Sequence, residues 1–331
     1  MTPRETLEQL GTARRLAEAG KHRELVRYLG DGDEQQLRES QTLALLYGTS
    51  LARLGRHDLG ALWVEAALEL ARERGDRAVE IRALNVRGAI ELESGRIEQA
   101  ARHFKDALAE ADREGDNGVV GRCSTNLGII NNMRGQHERA IASYTMALTA
   151  FQKASLPWGI VVVYHNLGIT YRDTEEFGKG LEMADRAMHE AARVGNVALE
   201  AQTLAGHAEI RVLSGDAQVG RREIERALDA HARLGDAVGE AEDRRILAAA
   251  LVAMGDAALA ETTLRTVVEW GTEHGRPLLV ATARRDLAHV LFNSGELEVA
   301  REAACTARSE FHQLGCAAEI RKIDKLLALI A

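Results

Sequence analysis

The chain has 331 residues, a formal net charge of −8 and 28% charged residues. That balance argues against general attraction to nucleic acid or to an anionic membrane surface, and no apolar run approaches the roughly 20 residues that span a bilayer. Only 4% of residues are aromatic and three are proline; the remainder is rich in Ala, Leu, Glu and Arg, which predicts a nearly all-α protein.

At the N-terminus, MTPRETLEQLGTARRL has no apolar signal-peptide core. Cys123, Cys305 and Cys316 are an odd set without metal-ligand spacing, which reads as free thiols in a reducing compartment. Both observations predict a cytoplasmic location. The basic residues are mostly Arg, a bias of GC-rich bacterial genomes. Residues 5 to 29 read as a degenerate helix pair turning at Gly20, and Asp31-Gly32-Asp33 then breaks the chain, so residues 1–40 form a degenerate N-terminal repeat or cap. Asp31, Asp33 and Glu34 miss the EF-hand spacing, and no calcium site is expected there.

From residue 41 the chain repeats itself every 40 residues. Glycine stands at 55, 95, 135, 215, 255 and 295, with Glu175 in the one empty place. A second series runs 75, 115, 195, 235, 275 and 315, with Ser155 in its gap. A fixed period of this size marks a solenoid, whose units cannot bury their apolar faces alone. Between residues 117 and 153, apolar and small residues recur at helical spacing, broken only at Arg134-Gly135-Gln136. So short a break is a tight helix–helix turn, and glycine suits the left-handed residue that ends a helix. Pro157 and Pro277 share one place just after the second turn, the first turn of a helix, where a missing N–H costs nothing.

With Gly121 as slot 1, slot 8 holds Gly48, Gly88, Gly128, Gly168, Ala208, Ala248 and Ala288. Slot 20 holds Gly60, Ala100, Ala140, Gly180, Gly220, Ala260 and Ala300. Small residues at matching heights let two helix axes approach closely. Larger plugs stand between them, among them Phe104 and Tyr144 at slot 24. Residues 41–316 are therefore read as seven repeats. Residues 317–331 are read as a capping helix, with Ile320, Ile323, Leu326, Leu327 and Ile330 apolar and Glu319, Arg321, Lys322, Asp324 and Lys325 on a polar outer face.

Small residues at slots 8 and 20, an aromatic at 24 and Ala at 27, together with Asn126-Leu127-Gly128 and Asn166-Leu167-Gly168-Ile169-Thr170-Tyr171, resemble the tetratricopeptide repeat. The 40-residue spacing is similar to the long repeats of LGN/Pins, kinesin light chain and related bacterial regulators. The resemblance covers roughly residues 41 to 315. It departs from the pattern at slot 32, which lacks the usual Pro, and weakens after residue 205. It implies an all-α solenoid: a right-handed superhelix of about seven to eight helix pairs with terminal capping helices.

The resemblance also implies that the first helix of each pair lines a concave face. The candidate ligand-binding residues on that face are Arg82, Asn85, Arg122, Thr125, Asn126, Ile129, Asn132, His165, Asn166, Ile169 and Arg172. In similar proteins inner-face Asn side chains hold a partner's main chain, and Asn126 and Asn166 match that slot. Asn both donates and accepts, which suits an extended peptide backbone. Six basic inner residues stand against five acidic ones, Glu93, Asp173, Glu209, Glu242 and Asp286, which leaves no overall sign. The alternative reading makes these charges ion pairs between neighbouring helices.

No phosphate loop, dinucleotide fingerprint, HExxH or GxSxG motif occurs. No enzyme activity, cofactor or metal is expected. The expected function is a scaffold or adaptor that binds a protein or extended peptide segment, with no nucleic-acid or membrane partner. The alternative is a bacterial regulatory sensor whose array closes around a small peptide or other small ligand.

Overall fold

A computed structural model describes residues 3–32 and 34–330. Asp33, part of the chain break read above, lies outside the described residues. The described chain is eighteen helices without a strand among them. None is long and apolar enough to cross a membrane. The helices group into two compact units that meet at Cys123 and Ser124.

Unit 1 contains α1 (Pro3–Glu18), α2 (His22–Gly30), α3 (Glu34–Glu39), α4 (Gln41–Arg53), α5 (His57–Arg74), α6 (Arg77–Glu93), α7 (Ile97–Glu114) and the first turns of α8 (Asn117–Met133). The degenerate N-terminal pair is α1 and α2, and Gly20 turns between them at φ +69°. Its core is Ala13, Leu25, Leu29, Leu37 and Leu43.

Unit 2 takes the rest of α8 and then α9 (His137–Lys153), α10 (Pro157–Asp173), α11 (Phe177–Val194), α12 (Val197–Leu213), α13 (Ala217–Leu234), α14 (Ala237–Ala253), α15 (Ala257–Glu273), α16 (Pro277–Asn293), α17 (Leu297–Gln313) and α18 (Ala317–Ile330). One core cluster joins Ala140, Tyr144, Ala147, Phe151, Val163 and Leu167. Pro157 and Pro277 stand in the first turn of α10 and α16.

The turn chemistry follows the repeat. The two glycine series adopt positive φ, for example +73° at Gly135 and +68° at Gly75. The two empty places do the same without glycine: Ser155 has φ +53° and Glu175 +62°, the only non-glycine residues of that kind among those described. The helix pair on each side dictates the turn, and a side chain there accepts about 1–2 kcal/mol of strain.

The small slots are closed by backbone. A Cβ on Gly60 would lie 2.8 Å from the Gly48 carbonyl oxygen, and one on Gly48 would lie 2.9 Å from that of Gly60. Elsewhere the partner is a ring: a Cβ on Gly128 would run into the ring of Tyr144. Close axis approach is thus built into slots 8 and 20, as their residue sizes predict.

Candidate functional site

Each unit carries a concave chamber lined mainly by the odd-position partners of its pairs. In unit 1 these are α1, α4, α6 and the start of α8. Arg82, Asn85 and Arg122 face a cavity of about 680 Å³ with Arg14, Leu46 and Val86 on its wall. Asn85 Oδ1 accepts a weak bond from the Cys123 thiol at 3.4 Å. Burial, then the neighbouring Arg82 and Arg53, hold the Arg122 pKa below its ordinary value against the opposing pull of Asp116.

In unit 2 the chamber lies among α8, α10, α12, α14, α16 and α18, with a volume of about 560 Å³. Ile129, Asn132, Asn166, Ile169 and Arg172 line it. Thr125 is buried in α8, and Asn126 is half-buried beside it. Asn166 Nδ2 donates to the Val162 carbonyl of its own helix at 2.8 Å, so one of its donors is already used. His165 seats against Gly206, where an added Cβ would lie 2.6 Å from the imidazole. The structure therefore brings three predicted residues together in unit 1 and five around the unit 2 chamber.

Burial, then the charge of Arg172, pushes the His165 pKa down to about 4. An unfolded histidine titrates near 6.5. The unfolded chain therefore takes up a proton that the folded chain refuses. The stability tied to neutral His165 is complete above pH 6.5 and is lost as pH falls toward 4. The parent should lose about 2 kcal/mol more than His165→Gln between pH 7.5 and 5. Urea unfolding at the two pH values measures this; equal slopes would mean that the folded imidazole accepts the proton.

The charged residues of the unit 2 chamber form a closed circuit. Arg172 holds Asp173 at 2.9 Å and also pairs with Glu209. Arg245 donates to Glu209 at 2.8 Å and to Asp286 at 3.1 Å. Arg285 binds Asp286 at 2.6 Å and pairs with Glu319 of α18. Lys322, also on α18, holds Glu319 at 2.8 Å and faces Asp173 at 3.6 Å, which closes the ring. Asn132 adds an amide bond to Asp173 at 2.8 Å. Burial opposes ionisation of Glu209, yet Arg172 and Arg245 overcome it and hold the carboxyl far below the usual carboxylate range.

Ion pairing between neighbouring inner helices, the alternative reading of these charges, is what Arg172, Arg245 and Arg285 do here. Glu319 and Lys322 correct the polar-outside reading of the last helix, because both point into the chamber. The missed signal was register. Helices α8, α10, α12, α14 and α16 begin at 117, 157, 197, 237 and 277, and α18 begins at 317. It is an inner helix by position as well as a cap.

Paired antiparallel helices, small residues at their crossings and an inner face of first helices define an α-solenoid. The family profile described as tetratricopeptide repeat matches residues 39–111, and helix pairs of the same 40-residue period continue beyond them to the end of α18. Among solved structures it is similar to a Rap protein complexed with competence and sporulation factor, at 14% identity and a TM-score of 0.64, covering 99% of this chain and 98% of that one. It is also similar to the apo form of the quorum sensor NprR from B. thuringiensis, at 12% identity and a TM-score of 0.55, covering 99% of each chain. A signal-transduction ATPase with numerous domains and a tetratricopeptide repeat sensor, from Pyrococcus horikoshii, aligns at 14% identity and a TM-score of 0.57, covering 97% of this chain and 48% of that one. No curated protein matches by sequence.

Proposed function

We propose that this protein is a non-catalytic scaffold that binds a protein or peptide segment along the inner faces of its helix pairs. The observation that carries this reading is the chamber of unit 2. Its wall combines apolar side chains such as Ile129, Ile169 and Leu278 with the charged circuit and the amides of Asn132 and Asn166, and its volume is about 560 Å³, within the range of about 300–1,000 Å³ typical of ligand sites. Arg82, Asn85 and Arg122 in unit 1, and Thr125, Asn126, Ile129, Asn132, His165, Asn166, Ile169 and Arg172 in unit 2, are the proposed contact set. The work is proposed to be done in the cytoplasm, without a cofactor and without nucleic-acid or membrane partners.

One observation favours a second reading, a sensor that encloses a small peptide. Helix α18 reaches back to α10 through Lys322 and Asp173, and its Arg321 lies so close to Gly135 that a Cβ there would meet the guanidinium. The same chamber that could hold a segment of a larger protein is thus bridged by the last helix. The likeness to a quorum sensor and to a Rap protein solved with a signalling factor is in keeping with it.

Pull-down with the intact chain, followed by mass spectrometry, supplies the partner. Replacing Asn126 and Asn166 together by Ala should leave the melting temperature nearly unchanged, because Asn is a poor helix former. It should weaken partner binding by about 1–3 kcal/mol, since each lost amide leaves a desolvated peptide group unpaired. Unchanged binding would remove these two residues from the contact set; unfolding would make them structural.

A further inference from the structure

In unit 2 every cation on the wall is already engaged by protein carboxylates. Arg172 has Asp173 and Glu209, Arg245 has Glu209 and Asp286, Arg285 has Asp286 and Glu319, and Lys322 has Glu319 and Asp173. An incoming carboxylate would have to evict one of these partners, leaving a buried acid uncompensated, which is strongly unfavourable.

The carboxylates outnumber the cations. Asp173, Glu175, Glu209, Glu242, Asp286 and Glu319 line the chamber against Arg172, Arg245, Arg285 and Lys322, six against four, for a net of −2. The two acids beyond the circuit are Glu242 and Glu175. Glu242 touches the circuit only through Arg245 Nε at 3.4 Å, and its side chain keeps 46% exposure. Glu175 stands on the left-handed turn after α10 and is exposed. His289, also on the chamber wall, adds no positive charge at neutral pH, because burial lowers its pKa. Ile129, Ile169, Ala249 and Leu278 line the same chamber.

We propose that the unit 2 chamber takes a cationic peptide segment, which sets an arginine, lysine or free α-amino group against Glu242 and Glu175 and lays apolar side chains on Ile129, Ile169 and Leu278. This assignment rests on the peptide-binding reading above and adds the charge of the ligand to it. The cation supplies what Glu242 lacks, and the circuit behind it stays intact. The circuit then acts as a filter: its arginines give a fixed, neutralised wall that offers nothing to an acidic segment.

The test is calorimetric titration of the intact chain with two blocked pentapeptides, acetyl-Leu-Arg-Ala-Arg-Leu-amide and its counterpart with Glu in place of Arg. The basic peptide should bind. Glu242→Gln should weaken it at least tenfold, because the amide keeps the shape and removes the charge, and Arg245 retains Glu209 and Asp286. Glu175→Gln, at an exposed turn, should weaken it several-fold without touching the circuit. The acidic peptide should not displace the basic one. The proposal is overturned if the basic peptide does not bind, if both variants bind it as the parent does, or if the acidic peptide competes equally. A captured natural partner whose binding fails in the Asn126/Asn166 variant, but whose bound segment is acidic, would refute this charge assignment alone and leave inner-face binding standing.

Discussion

Glu209→Ala is expected to destabilise the protein by about 3–5 kcal/mol, the usual result of removing one partner from a buried ion pair. Glu209 is the centre of the circuit in unit 2. Its carboxylate answers both Arg172 and Arg245, whose side chains keep only 19% and 9% of their exposure. The methyl group of alanine leaves Arg172 with Asp173, and Arg245 with Asp286 and Glu242. Each guanidinium then lacks a bond that water reaches poorly at this depth. Urea unfolding followed by far-ultraviolet circular dichroism measures the loss. The control is Glu225→Ala, which removes an exposed pair with Arg221 one helical turn away and should cost a few tenths of a kcal/mol. If the two losses are equal, water rather than Glu209 solvates the arginines.

Acid should act through the same groups. Asp173, Glu209, Asp286 and Glu319 all have their pKa lowered; burial opposes the shift in each and the neighbouring cations prevail. For a group whose folded pKa is depressed, the stability it contributes is present above the unfolded carboxylate range near 4 and is lost as pH falls below it. Without Glu209 that acid loss should be shallower.

The fold was legible because its determinants are local and periodic. A turn that needs positive φ, a crossing that admits only Gly or Ala and a proline in the first turn of a helix each act within one repeat, so seven copies print the same pattern seven times. Even the two irregular turns obey it: Ser155 and Glu175 take the left-handed conformation their slots require. The inner face was legible in part. Asn132, Asn166, Ile169 and Arg172 could be placed on one helical face from their spacing, and the four side chains line the unit 2 chamber. What Arg172 pairs with could not be read in the same way. Glu209 belongs to the next inner helix, and Lys322 meets Asp173 across the chamber from the far end of unit 2. Such contacts depend on how far successive pairs rotate, a geometric property that no single repeat encodes. The division between Cys123 and Ser124 left no mark either, since it falls inside α8 while the repeat runs through without a change of composition.

Phe104→Ala should lower stability by about 3–5 kcal/mol, the range for emptying a buried aromatic site. The Phe104 ring has no exposure and lies directly over Gly88, where a Cβ would stand 2.7 Å from the ring edge. The glycine at slot 8 and the aromatic at slot 24 are therefore two halves of one fit: the missing side chain on α6 is the space that the ring of α7 fills. Two consequences separate this from a general loss of apolar area. Gly88→Ala alone should destabilise by about 1–3 kcal/mol, because a fully buried ring cannot step aside for the methyl, even though alanine is the better helix former by about 1 kcal/mol. In the double variant the added methyl has room and the helix propensity is recovered, so the summed losses should exceed the measured one by about 0.5–3 kcal/mol, as for residues in contact. Thermal or urea unfolding of the four proteins closes the cycle. Strict additivity would show that the ring and the glycine do not constrain each other, and the reading of slots 8 and 24 as a matched pair would fall with it.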